Sequence, residues 1–329
     1  MQHLHINRIR RYCRLVLMLL PLVLGSSVVC QGGEKVKPFV KWVGGKGQLI
    51  EQLSELLPKD FSERKNVVYV EPFVGGGAML FHMLSTYPNI EKAVINDLNS
   101  DLTMAYKVVR DMPGNLIAAL GIMQEEYRSK KNGQEQKEYY LAKRKRYNSR
   151  NAGNVETAAL FIFLNRTCFN GLYRVNSKGE YNVPFGKARN PLICDEETTM
   201  ADSRLLQKVE ILNGDFECVE KHVGRKAFLY FDPPYRPLTQ TASFTAYSKG
   251  GFDDAQQKRL AEFCRRLNVK GCQWLLSNSD PHNSDPNDMF FDELYAGFDI
   301  HRVYASRMIN SKAEGRGKIT ELAIRNYEE

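Results

Sequence analysis

The order of its apolar segments most strongly constrains what this chain can fold into. "NVVYVEPF" and "KAVIND" are runs of β-forming residues, and each is followed by a segment with helical spacing, "GGGAMLFHMLSTY" and "SDLTMAYKVVRDM". Strands that alternate with helices predict a parallel, doubly wound α/β sheet. "VEILNGDF", "AFLYFDPPY", "CQWLLSNSD" and "TELAIRNY" supply further strands, and "GQLIEQLSELLP" predicts a helix over Gly47 to Pro58.

The sequence between Pro113 and Ser203 differs in character, being basic, helical and rich in loops. "YRVNSKGEYNV" predicts a β-hairpin that turns at Ser177-Lys178-Gly179. We therefore predict a mostly helical second domain, residues 113–203, inserted into an α/β domain made of residues 35–112 and 204–329. A surplus of basic residues in this insertion suits a polyanion, although such a helix face is often only solvated. The surplus consists of Arg128, Lys130, Lys131, Lys137, Lys143, Arg144, Lys145, Arg146 and Arg150, against Glu135 and Glu138.

The first 34 residues form a separate N-terminal extension. "RIRRYCRLVLMLLPLVLGSSVVC" has a basic start, an apolar run and small residues before Cys30, which is the layout of a secretory signal. The apolar run is too short for a comfortable membrane span, and Pro21 interrupts it. The alternative is a mis-assigned start, with translation beginning downstream at a non-standard codon near Val36. We leave this extension out of the fold prediction.

The cysteines bear on the cellular compartment. The chain has 7 of them, an odd number, with no C-x-x-C pair. This pattern favours reduced thiols in a cytoplasmic protein and indicates neither a zinc site nor a disulfide framework. The signal-like N-terminal extension disagrees with that compartment, and the sequence leaves both a secretory signal and a mis-assigned start open.

A glycine loop in "VEPFVGGGAML" predicts a cofactor. Gly75, Gly76 and Gly77 stand between a strand and a helix, where backbone approaches a ligand closely and helix amides face an anion. Leu80 occupies the position of the third glycine of a dinucleotide fingerprint, which disfavours a nicotinamide or a flavin. Asp97 ends the next strand, about 20 residues further on, where an acid reaches ribose hydroxyls. An adenosine cofactor without a pyrophosphate fits best, and S-adenosylmethionine (AdoMet) is the candidate.

A second glycine motif, "KWVGGKGQ", is tested as a phosphate-binding P-loop. Val40 stands where the first P-loop glycine belongs, and Gly47 follows Lys46 where Ser or Thr should bind magnesium. ATP hydrolysis is therefore disfavoured. Lys46 precedes a helix and is suited to pair with a cofactor carboxylate as a point charge.

The segment "AFLYFDPPYRP" predicts an active site. Two consecutive prolines cannot donate to a sheet ladder, so the strand ends at Asp232. In open α/β sheets ligands bind at the carboxyl ends of strands, and here an acid and an aromatic ring are held at such an end. The alternative for the motif alone is an ordinary polar turn.

Taken together, these motifs resemble the DNA adenine methyltransferase (Dam) family. The resemblance runs from about Pro38 to Tyr327 and implies a Rossmann-like AdoMet-dependent methyltransferase sheet with an inserted, mostly helical DNA-recognition domain that carries a β-hairpin. The matching stretches occur in the family's order: "FVKWVGGK", "VEPFVGGG", "INDLNSDL", "FLNRTCFNGLYRVNSKGEYNVPFG", "YFDPPYRPLTQTASFTAYS" and "ITELAIRNY".

The resemblance implies three groups of site residues. The catalytic motif is Asp232, Pro233, Pro234 and Tyr235. The cofactor-binding positions are Trp42, Lys46, Glu71, Phe73, Gly75, Gly77, Asp97, Asp215, Phe216 and Asp232, with Asp215 and Phe216 at the cofactor's adenine. The DNA-contacting positions are Lys41, Phe169, Asn170, Leu172, Arg174, Pro184 and Lys187.

Two of the DNA-contacting positions have a physical interpretation of their own. The family often has tyrosine at the position of Phe169, and phenylalanine keeps the stacking surface while losing a hydroxyl. Arg174 can make a bidentate contact with guanine, the commonest specific pairing in the major groove. Without the family's motif string, Phe169 and Leu172 would be read as core residues and Arg174 as a surface ion pair.

The implied activity is methyl transfer from AdoMet to the exocyclic amino group of a flipped adenine in duplex DNA, within GATC. The alternatives are an amino-methyltransferase for RNA adenine, DNA cytosine or a protein glutamine, and a non-catalytic DNA-binding or exported protein. We expect double-stranded DNA as partner, no metal, no stable membrane partner, a monomer or weak dimer, and a cytoplasmic, nucleoid-associated location. A solitary enzyme and a restriction-modification partner both stay open.

Overall fold

The computed structural model of the chain describes residues 36–236, 252–306 and 318–328. The predicted N-terminal extension lies outside these residues, as does the end of the motif that begins at Tyr230.

Seven strands form one sheet in the order β3-β2-β1-β4-β5-β7-β6. The first five are parallel, whereas β7 is antiparallel to both β5 and β6. The chain builds outward from β1 to β3 and then returns to β4 on the other side of β1, so the strand order reverses between β1 and β4. The strands are β1 (Val67–Glu71), β2 (Ile90–Asp97), β3 (Val209–Asn213), β4 (Ala227–Phe231), β5 (Gln273–Ser279), β6 (Asp299–Ser306) and β7 (Lys318–Arg325).

Nine α-helices accompany the sheet within the described ranges. They are α1 (Ile50–Glu55), α2 (Ala78–Thr86), α3 (Ser100–Asp111), α4 (Pro113–Arg128), α5 (Gly133–Asn148), α6 (Asn154–Thr167), α7 (Glu196–Leu206), α8 (Asp254–Val269) and α9 (Phe290–Leu294). The predicted α/β class and the Rossmann-like methyltransferase sheet are confirmed. Helix α1 is shorter than predicted, and β6 was not foreseen.

The core divides into two apolar clusters, one on each face of the sheet. Side chains alternate between the faces, so that Tyr69 belongs to one cluster and Val70 to the other. Burial on both faces explains why these strands read as continuous apolar runs. Helices α4, α5 and α6 pack on the face of Tyr69, where Tyr127, Tyr140 and Phe163 are buried in the same cluster.

The inserted segment is also tied to the sheet by a buried carboxylate. Asp101, in the first turn of α3, accepts hydrogen bonds from the hydroxyls of Tyr147 and Tyr173, the second at 3.0 Å. Its two oxygens lie 2.7 and 2.8 Å from the guanidinium of Arg150. Because one carboxylate joins α3 to two separate parts of the insertion, their relative positions are fixed.

The predicted hairpin is present as a chain reversal with sparse pairing. Val175 and Tyr181 form an isolated antiparallel bridge, and the amide of Asn176 donates to Glu180 O at 2.9 Å. Gly179 has a φ of 76°, which suits glycine at the turn. A second bridge, Cys168 to Phe185, closes the base of this loop.

Candidate active site

The carboxyl end of β4 carries the Asp-Pro-Pro-Tyr motif. Strand β4 pairs with β1 on one side and β5 on the other, so the motif begins at the point where the strand order reverses. Ligands of open α/β sheets bind in the crevice at such a point. The prolines end the ladder, and Asp232 leaves the strand directly after the buried Phe231.

Four side chains form one ion-paired cluster beside this strand end. The ammonium of Lys46 lies 3.0 Å from Oδ1 of Asp232 and 3.5 Å from Oε2 of Glu321. It also lies 4.2 Å from the ring centroid of Tyr235, whose hydroxyl donates to Glu321. Lys46 is only 5% exposed. A buried cation of this kind needs partners, because an unpaired buried charge costs several kcal/mol.

Burial governs the protonation states in this cluster. Desolvation raises the pKa of Asp232 to about 6; the ammonium of Lys46 opposes this rise and the charge of Glu321 adds to it. Burial also raises the pKa of Tyr235 well above its ordinary value, so the hydroxyl stays a donor. At neutral pH Asp232 is therefore mostly ionised and accepts hydrogen bonds only.

Two acceptors at the strand end have no donor among the described residues. Lys46 contacts Oδ1 of Asp232, and within the described ranges no hydrogen bond reaches Oδ2 or the carbonyl of Pro233. The next carbonyl is engaged: Nε2 of Gln257 donates to Pro234 O at 3.2 Å. Gln257 in turn accepts from Nδ2 of Asn278 at 3.0 Å. Helix α8 and strand β5 thus hold the motif while leaving an adjacent carboxylate oxygen and carbonyl available.

Three of these supporting residues were not anticipated. Glu321, Gln257 and Asn278 each have a signal in the sequence, because each is a polar residue at a position that the periodicity assigns to an apolar face. Glu321 shares its face of β7 with Ile319 and Ala323, which pack in the core. Gln257 and Asn278 are fully buried.

The glycine loop between β1 and α2 packs against Trp42. A Cβ added at Gly75 or Gly76 would lie 2.9 or 2.8 Å from the Trp42 side chain. Gly77 has a φ of 77° and is the N-cap of α2, and a Cβ there would collide with the Tyr106 hydroxyl. Two aromatic side chains, Trp42 and Tyr106, thus lie against this loop, and its contact with a ligand stays a prediction.

Acidic residues flank the same loop. Asp97, at the end of β2, accepts from the amide of Gly75 at 3.1 Å and from that of Asn99 at 2.8 Å. Burial raises the pKa of Asp97, and these backbone donors oppose the rise. Glu71, at the end of β1, is buried and accepts from the Tyr69 hydroxyl at 2.8 Å. Burial raises the pKa of Glu71 well above its ordinary value.

An aromatic wall follows β1 and β3. The ring centroids of Phe73 and Phe216 lie 5.3 Å apart, and Phe252 packs edge-on against Phe73 at 5.5 Å. The guanidinium of Arg259 covers the Phe216 ring at 4.4 Å and pairs with Asp215. The structure thus brings Phe73, Phe216 and Asp215 together, as the cofactor assignment requires.

Residue Asn165 joins the Lys41 loop to the turn that carries Phe169. Its Nδ2 donates to Lys41 O at 2.7 Å and to Gly171 O at 2.9 Å, while its Oδ1 accepts from the Lys41 amide at 2.8 Å. Asn165 itself is buried. Asn170 has a φ of 55°, a left-handed conformation that asparagine tolerates. Two of the predicted DNA-contacting segments are therefore neighbours, although they are far apart in the sequence.

The remaining DNA-contacting positions surround this turn. The amide of Phe169 donates to Pro184 O at 2.9 Å, and the Phe169 ring is 50% exposed. Arg174 is exposed and donates to Oδ1 of Asn182 at 2.7 Å, without an ion pair in the described part of the chain. Lys187 is exposed too. Leu172 differs from the others because it packs partly into the core.

The basic run of the insertion is partly neutralised. Lys143 lies 3.3 Å from Glu126, Arg146 lies 2.7 Å from Glu156, and Arg150 is held by Asp101. The exposed basic residues that make no ion pair with another described residue are Arg128, Lys131, Lys137 and Lys145. Only part of the run is therefore available to an external anion.

Metal ligands, membrane-spanning helices and cysteines can be assessed within the described ranges. These ranges contain no group of three or more His, Cys, Asp or Glu side chains that could hold a metal ion. No helix within them has the length and apolar character needed to cross a membrane. The five cysteines that they include are free thiols.

The comparison with known proteins gives a consistent result. Residues 42–309 match the D12 class N6 adenine-specific DNA methyltransferases. The chain is 48% identical over 296 residues to the type II methyltransferase M.MjaIII of Methanocaldococcus jannaschii, covering 89% of this chain and 100% of that relative. It is 40% identical to the type II methyltransferase M1.LlaDCHI of Lactococcus lactis, over 89% of this chain and 96% of the relative. It is 33% identical to the DNA adenine methylase of Haemophilus influenzae, over 88% and 93%. The chain therefore belongs to the D12 class of N6 adenine-specific DNA methyltransferases.

Proposed function

We propose that this enzyme transfers a methyl group from AdoMet to N6 of an adenine that is flipped out of duplex DNA, within the sequence GATC. The observation that carries this proposal is the pair of open acceptors at the end of β4, Oδ2 of Asp232 and the carbonyl of Pro233, beside the ring of Tyr235. An amino group offers two N–H donors, which these two acceptors match. Membership of the family selects adenine in DNA over the other amino-group substrates.

The residues at the switch point fit AdoMet. Each carboxylate oxygen of Asp97 has one backbone donor and keeps a lone pair for a ribose hydroxyl. Phe73 and Phe216 offer an aromatic surface for the adenine ring, with Asp215 beside it. The N-terminus of α2 has no side-chain cap, so its amides are available to the cofactor's carboxylate.

Lys46 is not a free cation that waits for the cofactor carboxylate, because its ammonium already has partners in the protein. Its three N–H donors already serve Asp232, Glu321 and, at 3.2 Å, the carbonyl of Gly44. A contact with the cofactor carboxylate would have to replace one of these partners. The neutral Gly44 carbonyl is the weakest of the three, because a hydrogen bond between two charged groups is stronger.

Asp232 and Pro233 activate the acceptor. The lone pair of the adenine amino nitrogen is delocalised into the ring, so the nitrogen is a poor nucleophile. When Oδ2 of Asp232 accepts one amino hydrogen and the Pro233 carbonyl accepts the other, the nitrogen is drawn toward tetrahedral geometry. The prolines fix the direction of that carbonyl before the substrate arrives, which is preorganised electrostatic stabilisation.

AdoMet, when bound, supplies an electrophilic methyl group on a sulfonium. Asp232 and the Pro233 carbonyl would hold N6 in line with that methyl group, and the proton that N6 sheds after alkylation would pass to water, which needs no strong base because the alkylated amine is acidic. Asp232 therefore acts as a hydrogen-bond acceptor throughout and is not the base that removes a proton before attack. Orientation of the amino group supplies much of the rate.

Tyr235 stacks on the flipped base. An adenine inside a duplex cannot reach the end of β4, so extrusion is required. The ammonium of Lys46 covers one face of the Tyr235 ring, which leaves the opposite face for the base. The hydroxyl is fixed by Glu321, so the ring is held in one orientation.

Residues 113–203 act as the target-recognition domain, and residues 35–112 and 204–329 form the catalytic domain. Arg174 reads a guanine, with its guanidinium pre-oriented by Asn182. Phe169, Asn170, Leu172 and Pro184 lie at the DNA, and Lys41 and Lys187 contact phosphates. The resemblance of this segment to the Dam family supports GATC as the target.

Sequencing that detects N6-methyladenine tests this proposal directly. The full chain would be expressed in cells without adenine methylation, beside the Asp232→Ala variant as control. We expect methylated adenine in GATC with the wild type and none with the variant. Methylation confined to another motif would refute the target, and label transferred from AdoMet to RNA but not to duplex DNA would refute the substrate.

A further inference from the structure

The side chain of Glu321 lies in the active site although the catalytic motif is far from it in the sequence. Glu321 is at the middle of β7, opposite Ser279 of β5 and Val303 of β6. Its side chain is only 15% exposed. It accepts the Tyr235 hydroxyl and lies 3.5 Å from the Lys46 ammonium. A largely buried acid on the strand face that it shares with Ile319 and Ala323 has a cost, which its two contacts in the site offset.

We propose that Glu321 is a positioning residue for methyl transfer: it fixes the ring of Tyr235 and holds Lys46 so that one oxygen of Asp232 stays open for the substrate's amino group. This inference rests on the proposed function and names how its site is organised. Glu321 does not touch the reacting atoms and acts through Tyr235 and Lys46.

Glu321 fixes the orientation of the Tyr235 ring. Tyr235 follows two prolines, and its side chain has one polar end, which is held by Glu321. Without that acceptor, the buried hydroxyl would lose its hydrogen bond, and the ring would turn to find another. Because the base stacks on this ring, a turn of the ring would misplace the amino group relative to Asp232.

Glu321 also shares the ammonium of Lys46 with Asp232. Lys46 lies between Asp232 and Glu321, at 3.0 and 3.5 Å. If Glu321 were uncharged, Lys46 would pair with Asp232 alone and draw on both of its oxygens. The carboxylate would then be a weaker acceptor for the amino group. The negative charge of Glu321 also raises the pKa of Asp232, so its removal lowers that pKa.

Several titratable groups face Asp232 and influence the pH at which it ionises. Burial is the largest cause of its raised pKa, followed by the opposing ammonium of Lys46 and the added charge of Glu321. Two buried carboxylates that contact one nitrogen interact by an amount equivalent to about two pH units at a protein-like dielectric constant. The neighbouring groups are Lys46 from the loop before α1, Tyr69 and Glu71 from β1, Tyr230 and Tyr235 from β4 and its extension, and Glu321 from β7.

The experiment measures methyl transfer from labelled AdoMet to a duplex oligonucleotide that contains GATC. kcat and KM are determined for the full chain between about pH 5 and pH 9. Glu321→Gln keeps the shape and a hydrogen-bond acceptor but removes the charge, and Glu321→Ala removes both. The matched control is Glu210→Gln on β3, where the carboxylate is also ion-paired, at 2.7 Å from Lys92, but its side chain is 38% exposed. Urea unfolding of each variant checks that it is folded.

The expected results separate charge from contact. Glu321→Gln moves the acid limb of kcat/KM down by about two pH units, because the pKa of Asp232 in the free enzyme falls. Glu321→Ala lowers kcat about 10- to 100-fold, with a smaller change in the KM for AdoMet, because the base is misplaced. Tyr235→Phe added to Glu321→Ala causes little further loss, since both changes remove the same hydrogen bond. Glu210→Gln leaves the profile unchanged.

Three outcomes would overturn the inference: an acid limb that Glu321→Gln leaves in place, a kcat for Glu321→Ala within about twofold of wild type, or losses from Glu321→Ala and Tyr235→Phe that simply multiply. Absence of transfer to DNA by the wild type would instead overturn the proposed function, and the inference with it. Transfer by the wild type with an unshifted Glu321→Gln profile overturns the inference alone.

Discussion

Replacing Asn165 with alanine should weaken both the fold and the grip on DNA. The side chain makes three hydrogen bonds to backbone groups, two with Lys41 and one with Gly171, between 2.7 and 2.9 Å. Each contributes about 1 kcal/mol net, and backbone groups that stay buried without a partner cost about 1–3 kcal/mol each. We expect a loss of about 3–5 kcal/mol in the free energy of unfolding. Domains have about 5–15 kcal/mol in total, so the variant should stay folded but with reduced stability.

The position of Asn165 gives the change a specific effect on binding. The loop and the turn that it joins are in close contact, since a Cβ added at Gly171 would lie 2.8 Å from the Cβ of Lys41. Without Asn165, Lys41 and Phe169 would no longer be held at a fixed separation. We expect the Kd for duplex DNA to rise about tenfold, which corresponds to about 1.4 kcal/mol.

Asn326→Ala is the matched control. Asn326 also makes three hydrogen bonds: it accepts from the Trp274 amide at 2.8 Å and donates to Cys272 O at 2.8 Å and Asn268 Oδ1 at 2.9 Å. These bonds hold the amino end of β5, whereas the active site is at the carboxyl ends of the parallel strands. Urea unfolding should show a loss of stability for both variants, and fluorescence anisotropy with a labelled duplex should show weaker binding only for Asn165→Ala.

Two results would refute this reasoning. If both variants weakened DNA binding equally, the effect would be a general consequence of lower stability and not of the joined segments. If Asn165→Ala changed the free energy of unfolding by less than about 1 kcal/mol, the three hydrogen bonds would not have the assigned strength.

The other predictions concern pH, the glycine loop and DNA recognition. The rate of transfer should fall as the pH drops through about 6, because burial raises the pKa of Asp232 to that value and its protonated form no longer accepts the amino hydrogen. The measurement is the pH profile of kcat/KM. An acid limb of that profile near the ordinary pKa of aspartate would contradict this prediction. Gly76→Ala should weaken AdoMet binding in calorimetry, because the methyl would lie 2.8 Å from Trp42, and Trp42→Ala in the same chain should restore part of the loss. Arg174→Ala should relax discrimination at one base pair by about 1–3 kcal/mol. Lys187→Ala should weaken binding to all sequences alike and reduce the slope of log K against log salt concentration by about one. Binding titrations at several salt concentrations measure both effects, and the reverse pattern would exchange the roles of the two residues.

Much of the fold could be predicted because the central strands are buried on both faces. Such strands read as continuous apolar runs, and helices between them force a parallel order. Strand β6, "DIHRVYAS", escaped this logic because it lies at the edge of the sheet and carries His301 and Arg302. Its pairing with β7 is a long-range contact, and no local pattern in its own sequence specifies it.

The site shows the same division between local and distant information. The prolines after β4 act locally, so the end of the strand and the position of Asp232 directly after it followed from the sequence. Glu321 and Asp232 both pair with Lys46, and these three residues come from widely separated parts of the chain. The partner of a buried charge is set by the topology of the sheet, in which the last strand of the chain, β7, lies between β5 and β6. A polar residue out of phase with an apolar strand was the only local sign.

The Lys41-Trp42 segment explains why cofactor and DNA motifs adjoin in "FVKWVGGK". Trp42 packs on the glycine loop, and its ring stacks on Tyr173 of the insertion with centroids 5.9 Å apart. Tyr173 donates to Asp101 at the start of α3, in the segment that follows Asp97. The cofactor loop, the recognition loop and the acid of the ribose site therefore share one set of contacts. Because these groups pack on one another, we expect a shift of the proposed recognition loop to disturb the proposed cofactor site. Under the proposed assignment Lys41 contacts DNA and Trp42 packs on the cofactor loop, which accounts for the adjacency of lysine and tryptophan in that motif.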